Sequence, residues 1–217
     1  MKLSEYTMAV LKNFSTINSG LVLNPGTLQR TMSPEKSVLV EAELDDSMPI
    51  KFGIYDLNLF LGNISTLSNP EVMFTKEEGV MSDGTFTLNF KPCSPELIIS
   101  PPDKSLSIDE PDAVFDLSSA LIGKILRLAS MNTLPFLSVS GNAGGLFLQA
   151  HDKNNSASNY AKTRMGDWNG TEFNISIKTE NVKMIPDDYL VEVKTGKFAK
   201  FTSRNRKLVY FVALETK

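Results

Sequence analysis

Ser4-Glu5-Tyr6-Thr7-Met8-Ala9-Val10-Leu11-Lys12-Asn13-Phe14-Ser15-Thr16-Ile17 is the stretch on which the fold turns. Leu3, Tyr6, Val10, Phe14 and Ile17 recur at three- and four-residue steps, which puts them on one side of an α-helix. Ser4 is a residue type that caps a helix start, and Asn18-Ser19-Gly20 supplies the stop. Glu5, Met8, Lys12 and Ser15 fall on the other side. The same kind of stretch returns at residues 116–129. There Leu117, Leu121, Ile125 and Leu128 form the apolar stripe, Asp116 is the expected cap, and Ala120, Lys124, Arg127 and Met131 lie opposite.

Working outward, a shorter helix is expected from Asp56 to about Leu67, with Leu57, Phe60, Leu61 and Ile64 inward. A weaker one is expected over residues 179–184. It stops before Pro186, because the residue before a proline disfavours helix. Much of the rest reads as strand: 21–23 before the turn Asn24-Pro25-Gly26, then 38–44, 85–90, 173–178, 189–193 and 208–214. Segments 136–140 and 146–150 flank Gly141-Asn142-Ala143-Gly144-Gly145, a hairpin signature. Helices begin near residues 4 and 56, and again near 117 and 179, with strands between. This repeat of order points to an internal duplication of an α+β unit. Residues 92–112 hold five prolines and three aspartates and read as an extended connector. The domains are therefore placed at 1–110 and 111–217.

The chain has 217 residues, enough to bury a core without disulfides, and its 41% hydrophobic and 22% charged residues are ordinary for a globular protein. No stretch approaches the roughly 20 apolar residues of a membrane span, and no secretory signal is read at the start. The single cysteine, Cys93, excludes an internal disulfide and a cysteine-based zinc site. The single histidine, His151, excludes a histidine metal cluster. No phosphate-binding glycine loop and no Gly-x-Ser-x-Gly nucleophile motif is present. Asp45-Asp46 and Asp187-Asp188 read as turn residues rather than a magnesium site. No residue bids for a catalytic role, and no metal or cofactor is expected.

A net charge of −3 argues against a conventional groove-reading DNA binder. Contact with nucleic acid would need a local concentration of cations. Lys12, Lys124 and Arg127 lie on the polar faces of matching helices, and Lys124 and Arg127 have no acid four residues away. Lys178 and Lys183 flank the weak last helix. Lys153, Lys162 and Arg164 fall in a polar stretch over 152–170. Lys194, Lys197, Lys200, Arg204, Arg206 and Lys207 read as decoration of a hairpin, where edge lysines also block aggregation.

Several blocks together resemble one family. Met1-Lys2-Leu3-Ser4, Leu11-Lys12-Asn13-Phe14 and Thr16-Ile17-Asn18-Ser19-Gly20 look like the opening of the sliding clamps of T-even-type bacteriophages. Tyr55-Asp56-Leu57-Asn58 with Phe60-Leu61-Gly62 looks like that family's second helix. Met184-Ile185-Pro186 with Tyr189, then Lys200-Phe201 and Tyr210-Phe211-Val212-Ala213-Leu214-Glu215, resemble its last strands. The match runs from end to end and is weakest over about 68–115.

The resemblance implies two structurally similar DNA-clamp domains, with outer antiparallel sheets and two helices per domain lining a ring. It implies a homotrimer that encircles double-stranded DNA without regard to sequence, tethers the phage DNA polymerase, and is opened by an ATP-driven clamp loader. It further implies a part in late transcription, no catalysis, and action in the cytoplasm of the infected bacterial host. Lys12, Lys124, Arg127, Lys178 and Lys183 become the expected DNA-facing residues. A hydrophobic partner pocket near the connector is expected at Leu97, Ile98, Ile99, Leu106 and Ile108. The ending Glu215-Thr216-Lys217 lacks the family's polar acidic tail. Two rival readings stand beside this one: a β-rich structural protein of the phage particle, and a hydrolase built on His151 with a carboxylate.

Overall fold

A computed structural model of the chain describes residues 1–215; the tail residues Thr216 and Lys217 lie outside the described residues. The chain divides into two compact units, Met1–Lys104 and Ser105–Lys217, so the division falls inside the proline-rich connector.

The first unit opens with α1 (Glu5–Ile17), whose first turn is capped by the Ser4 hydroxyl accepting from the Thr7 N–H. Its buried residues are Thr7, Val10, Leu11, Phe14 and Ile17, so the inner face is rotated slightly from the expected one, and Leu3 and Tyr6 stay half-buried. Strands β1 (Leu21–Leu23), β2 (Gly26–Met32), β3 (Val38–Met48) and β4 (Phe52–Ile54) follow. β1 pairs with β4 and β2 with β3, all antiparallel. The turn into β2 needs Gly26, whose φ of 98° lies in the region that favours glycine. Next comes α2 (Leu57–Thr66), capped by Asp56, with Leu57, Phe60, Leu61 and Ile64 buried as expected. A three-stranded meander closes the unit: β5 (Glu71–Phe74), β6 (Gly79–Ser82) and β7 (Thr87–Phe90).

Four aromatic rings join α2 to that meander. Phe52, Phe60, Phe74 and Phe90 contact one another mostly edge-on, as aromatic quadrupoles prefer. Gly79 is required for this cluster, because a Cβ there would lie 2.0 Å from the Phe90 ring. The Asp45-Asp46 pair is not a turn. Both residues belong to β3, and Asp46 accepts the Ser4 N–H at 2.7 Å, anchoring the start of α1.

The second unit begins with β8 (Ala113–Leu117) and α3 (Ser119–Met131). Ser118, not Asp116, caps α3; Asp116 lies in β8 and pairs with Arg204. The buried face of α3 is Ile122, Ile125 and Ala129: Ile125 is as expected, the residues after Leu121 and Leu128 take their places, and Leu117 lies in β8. Strands β9 (Phe136–Asn142) and β10 (Gly145–His151) form the glycine-rich hairpin, and β11 (Ala161–Gly166) and β12 (Phe173–Lys178) complete a sheet in the order β11-β10-β9-β12. β11 falls in the stretch read as a polar loop, because Ala161-Lys162-Thr163-Arg164 carries no strong apolar alternation. The weak helix over 179–184 is a single 3-10 turn, Thr179–Asn181. Thr, Asn and the coming Pro186 leave too little helix preference to carry the turn further. β13 (Tyr189–Lys194), β14 (Phe198–Ser203) and β15 (Leu208–Ala213) form an antiparallel run with β8 beside β13.

Side chains of α3 and of both strand sets meet in this unit's core, Ile122 and Ile125 against Leu137, Leu148, Val191 and Phe201. Two tyrosines fix the segment before Pro186: the Tyr189 hydroxyl donates to the Ile185 carbonyl, and the Ile185 N–H donates to the Tyr210 hydroxyl at 3.1 Å.

Candidate functional site

The helices put their cations in solvent. Lys12 on α1 and Lys124 and Arg127 on α3 are all exposed. Lys124 and Arg127 are three residues apart, about one turn, and so share a face. Among the described residues, the ion pairs belong to cations off the helices, such as Arg30–Glu41, Lys200–Glu192 at 2.7 Å and Lys194–Asp112 at 3.2 Å. Lys178 stands at the end of β12, 3.8 Å from Glu180. Lys183 follows the 3-10 turn and has an interaction of its own within the chain. The five expected DNA-facing cations thus separate into three free helix cations and two engaged ones beside a turn.

Two of the strands paired on one side only are β7 and β11; β2 and β8 are likewise paired by β3 and β13 alone. β7 is hydrogen-bonded by β6 alone, and β11 by β10 alone. The opposite edge of each sheet is partly covered: Met1 and Val72 of β5 exchange hydrogen bonds, and the Ser176 carbonyl of β12 accepts from the Glu215 N–H. Large apolar side chains are exposed near both free edges. Phe86 is 67% exposed beside β7, and Leu59 of α2 lines a cleft of about 270 Å³ with Tyr55, Met81 and Phe90. On α3, which packs on β10 and β11, Met131 is 83% exposed. The charge around the edges differs too. Glu71, Glu77, Glu78 and Asp83 outnumber Lys76 and Lys91 around β7, whereas β11 carries Lys162 and Arg164, the latter paired with Asp167 just past the strand.

The five apolar residues expected to form a partner pocket are divided between the two units. Ile98 is buried and packs on Gly20, where a Cβ would come within 3.2 Å of it, while Leu97 and Ile99 face solvent. Leu106 and Ile108 belong to the second unit. Leu106 is exposed, and Ile108 lines a separate cleft with Lys194, Lys197 and Phe198. The cleft beside Ile98, about 270 Å³, mixes Val22 and Pro101 with Arg30, Lys51, Glu96 and Asp103, so it is more polar than expected. Two residues of which no such role was expected hold this stretch in place. The Asn18 amide donates to the carbonyls of Met32 and Ile99, both at 2.9 Å, and Arg30 donates to the Pro102 carbonyl at 2.6 Å. Both contacts are long-range, which is why periodicity gave no sign of them.

His151 shares a hydrogen bond of 2.7 Å with the Ser138 hydroxyl. Burial pushes the imidazole pKa down, Asp152 partly offsets this, and Lys153 adds to it. The connector and α2 clefts are lined by neither residue. Burial also pushes the Cys93 thiol up, which keeps it protonated and unreactive. Among the described residues, no group of three or more His, Cys, Asp or Glu side chains could hold a metal ion.

Residues 2–76 match the family described as DNA polymerase processivity factor. The chain is 30% identical over 221 residues to the sliding clamp of Vibrio phage KVP40, covering 99% of both chains. It belongs to the sliding clamp family. The sliding clamp of Enterobacteria phage T4 is likewise 30% identical, over 99% of this chain and 97% of that one. The fold agrees: a structure described as the C-terminal region of FEN-1 bound to A. fulgidus PCNA superimposes with a TM-score of 0.72 at 13% identity, covering 97% of this chain and 95% of that one. This sliding clamp is therefore a T-even-type phage processivity factor with the clamp fold, and among the described residues its second unit departs from the expected pattern by holding one α-helix and a 3-10 turn.

Proposed function

We propose that this sliding clamp works as a homotrimeric ring that encircles duplex DNA and tethers the phage polymerase. Two of the one-sided edges, β7 and β11, carry this reading. A chain with two different, complementary edges associates head to tail, and such contacts close into a ring when the rotation permits. Pairing β7 with β11 of the next copy would satisfy both ladders and cover the apolar residues beside them. The acidic surroundings of β7 and the cations of β11 favour that pairing over β7 with itself.

Within the ring, cations on the helices meet phosphates. Such contacts carry no sequence information and so permit sliding. Linkage to DNA is topological, which lets each contact be weak. The clamp performs no chemistry, is opened by an ATP-driven loader, acts in the cytoplasm of the infected host, and takes part in late transcription. The connector cleft at Ile98 receives the polymerase.

Two measurements test this. The mass in solution should be that of a trimer, and a monomer at high protein concentration would end the ring reading. Loaded clamp should stay on circular duplex and leave once the circle is cut; equal retention on both forms would end the topological mechanism.

A further inference from the structure

We infer that Asn169 is a site of spontaneous chemical modification in the folded clamp: the backbone nitrogen of Gly170 attacks its carboxamide, and the carboxylate that results loosens the association of subunits through β11. The chemical step stands by itself. Its consequence rests on the ring reading above.

Asn169-Gly170 is the one Asn-Gly pair in the chain. Such a pair is labile because glycine has no Cβ to keep its backbone nitrogen away from the side chain before it. The pair lies in the link between β11 and β12, and both residues are exposed. Among the described residues, neither the Asn169 carboxamide nor the Gly170 N–H has a hydrogen-bond partner. Packing keeps the glycine in place. A Cβ at residue 170 would lie 2.7 Å from the Trp168 ring, and the Trp168 indole N–H donates to the Thr171 carbonyl at 2.9 Å.

Asp83-Gly84, in the turn between β6 and β7, can close the same ring and is protected. The Asp83 carboxylate accepts the N–H groups of Phe86, Thr85 and Ser68 at 2.8, 2.9 and 3.1 Å. The Gly84 N–H donates to the Ser82 hydroxyl at 3.2 Å. Electrophile and nucleophile are both bonded elsewhere at that pair, and both are free at Asn169-Gly170.

The step balances with water as the only co-reactant. The Gly170 nitrogen bonds to Cγ of Asn169, the Cγ–N bond of the amide breaks, and the departing group carries the Gly170 proton away as ammonia. A cyclic imide remains. Water then adds at either imide carbonyl and opens the ring, to aspartate or to isoaspartate. The product carries a negative charge that the amide lacked. It stands close in sequence to Asp167, which already pairs with Arg164 of β11. The acidic surroundings of β7 on the next copy would then meet a less positive partner. Charges at the rim of a contact act mainly on the rate of association and on its dependence on salt.

Peptide mapping by mass spectrometry tests the chemical step, following every asparagine of the folded protein in mildly alkaline buffer. Residue 169 should convert several-fold faster than any other asparagine and give both products, while Asp83 keeps its normal linkage. Asn169→Gln, whose longer side chain must close a larger and slower ring, should show no conversion at that position. Conversion of Asn169 no faster than that of the other asparagines would overturn the inference, because the link would then hold the reacting atoms apart. For the consequence, Asn169→Asp is compared with Asn169→Gln by dissociation of the ring on dilution. The Asp variant should dissociate at a few-fold higher concentration at low salt, and the gap should close at high salt. Equal dissociation at low salt would remove the consequence. Failure of the ring reading looks different: the parent would be a monomer even when concentrated, and the map at residue 169 would not change.

Discussion

The leading helices of the two units start in the same way and present different surfaces. α1 is capped by Ser4 and braced by Asp46, which accepts the Ser4 N–H at 2.7 Å from a distant strand. α3 is capped by Ser118 and braced by Asp188, which accepts the Ser119 N–H at 2.7 Å from a distant loop. Each helix thus has a local cap and a remote carboxylate satisfying donors that would otherwise be orphaned. Beyond that start the units diverge. The first follows with a second helix, α2, and no net helix charge; the second follows with a 3-10 turn and two free cations. The framework that fixes a helix in place is repeated, while the surface it displays is free to specialise.

The largest effects should come from the shared framework. Phe14 is fully buried in α1, and Phe14→Ala is expected to destabilise by about 3–5 kcal/mol through lost burial and the cavity left behind. Ile125→Ala, on the buried face of α3, should cost about 2–5 kcal/mol. Urea unfolding midpoints measure both. A loss under about 1 kcal/mol at either site would mean that the helix is not an integral part of its unit's core.

Next in size is a contact the second unit does not reproduce. Asn18 ends α1, accepts the Gly20 N–H at 3.0 Å and donates to Met32 and Ile99. Asn18→Ala leaves those groups unpaired in a buried place and should cost about 1–3 kcal/mol. Because one of its bonds holds the connector, residues 98–103 should also lose protection from amide hydrogen exchange. Unchanged exchange there would show that Arg30 alone holds the connector.

Much of the first unit was legible in its sequence, because its signals are local. Ser4, Asp56 and the apolar steps of α2 fix their elements within a few residues. The second unit was harder. Asp116 looks like a cap until its partner Arg204, 88 residues away, is seen beside it. β11 owes its existence to pairing with β10 rather than to apolar alternation of its own. The helix cations were visible as residues, but their freedom was not. Nothing in the sequence says that Ser15, Thr16, Ser65 and Thr66 turn their hydroxyls back on their own helices, or that Lys178 sits by Glu180. The connector was hard to read for a related reason: Leu97, Ile98 and Ile99 are all apolar, and Ile98 is buried against the distant Gly20.

Caps come next, and their geometry separates the units. Ser4 accepts from Thr7 at 3.1 Å and Ser118 from Leu121 at 3.4 Å. Ser4→Ala should cost about 1 kcal/mol and Ser118→Ala less, since a longer bond contributes less. The two midpoints, measured side by side, decide it. A larger loss at Ser118 would place the weight of α3 on its local cap rather than on Asp188.

The smallest effect is a dependence on acid, and each unit has one carboxylate that should supply it. At Asp46, burial acts to raise the pKa, but the Ser4 N–H and the hydroxyls of Thr7 and Ser4 outweigh it and hold the value below 3.8. At Asp187, burial again acts to raise it, and the Ser203 hydroxyl, the Asn205 amide and the Asp188 N–H outweigh it. A folded-state pKa below the unfolded one means that the unfolded chain takes up the proton first as pH falls. Their stabilising contribution is therefore complete above about pH 5, declines as pH falls through 3.8, and is gone below the lowered folded value. Asp46→Asn should flatten the acid limb of stability for the first unit and Asp187→Asn for the second, with little change in slope near neutrality. Urea midpoints followed from pH 7 to pH 3 will read this, using Trp168 fluorescence for the second unit and amide exchange in α1 for the first. If Asp46→Asn left the acid limb of α1 unaltered, the remote brace would be contributing geometry rather than charge, and the likeness between the two helix starts would be one of shape alone.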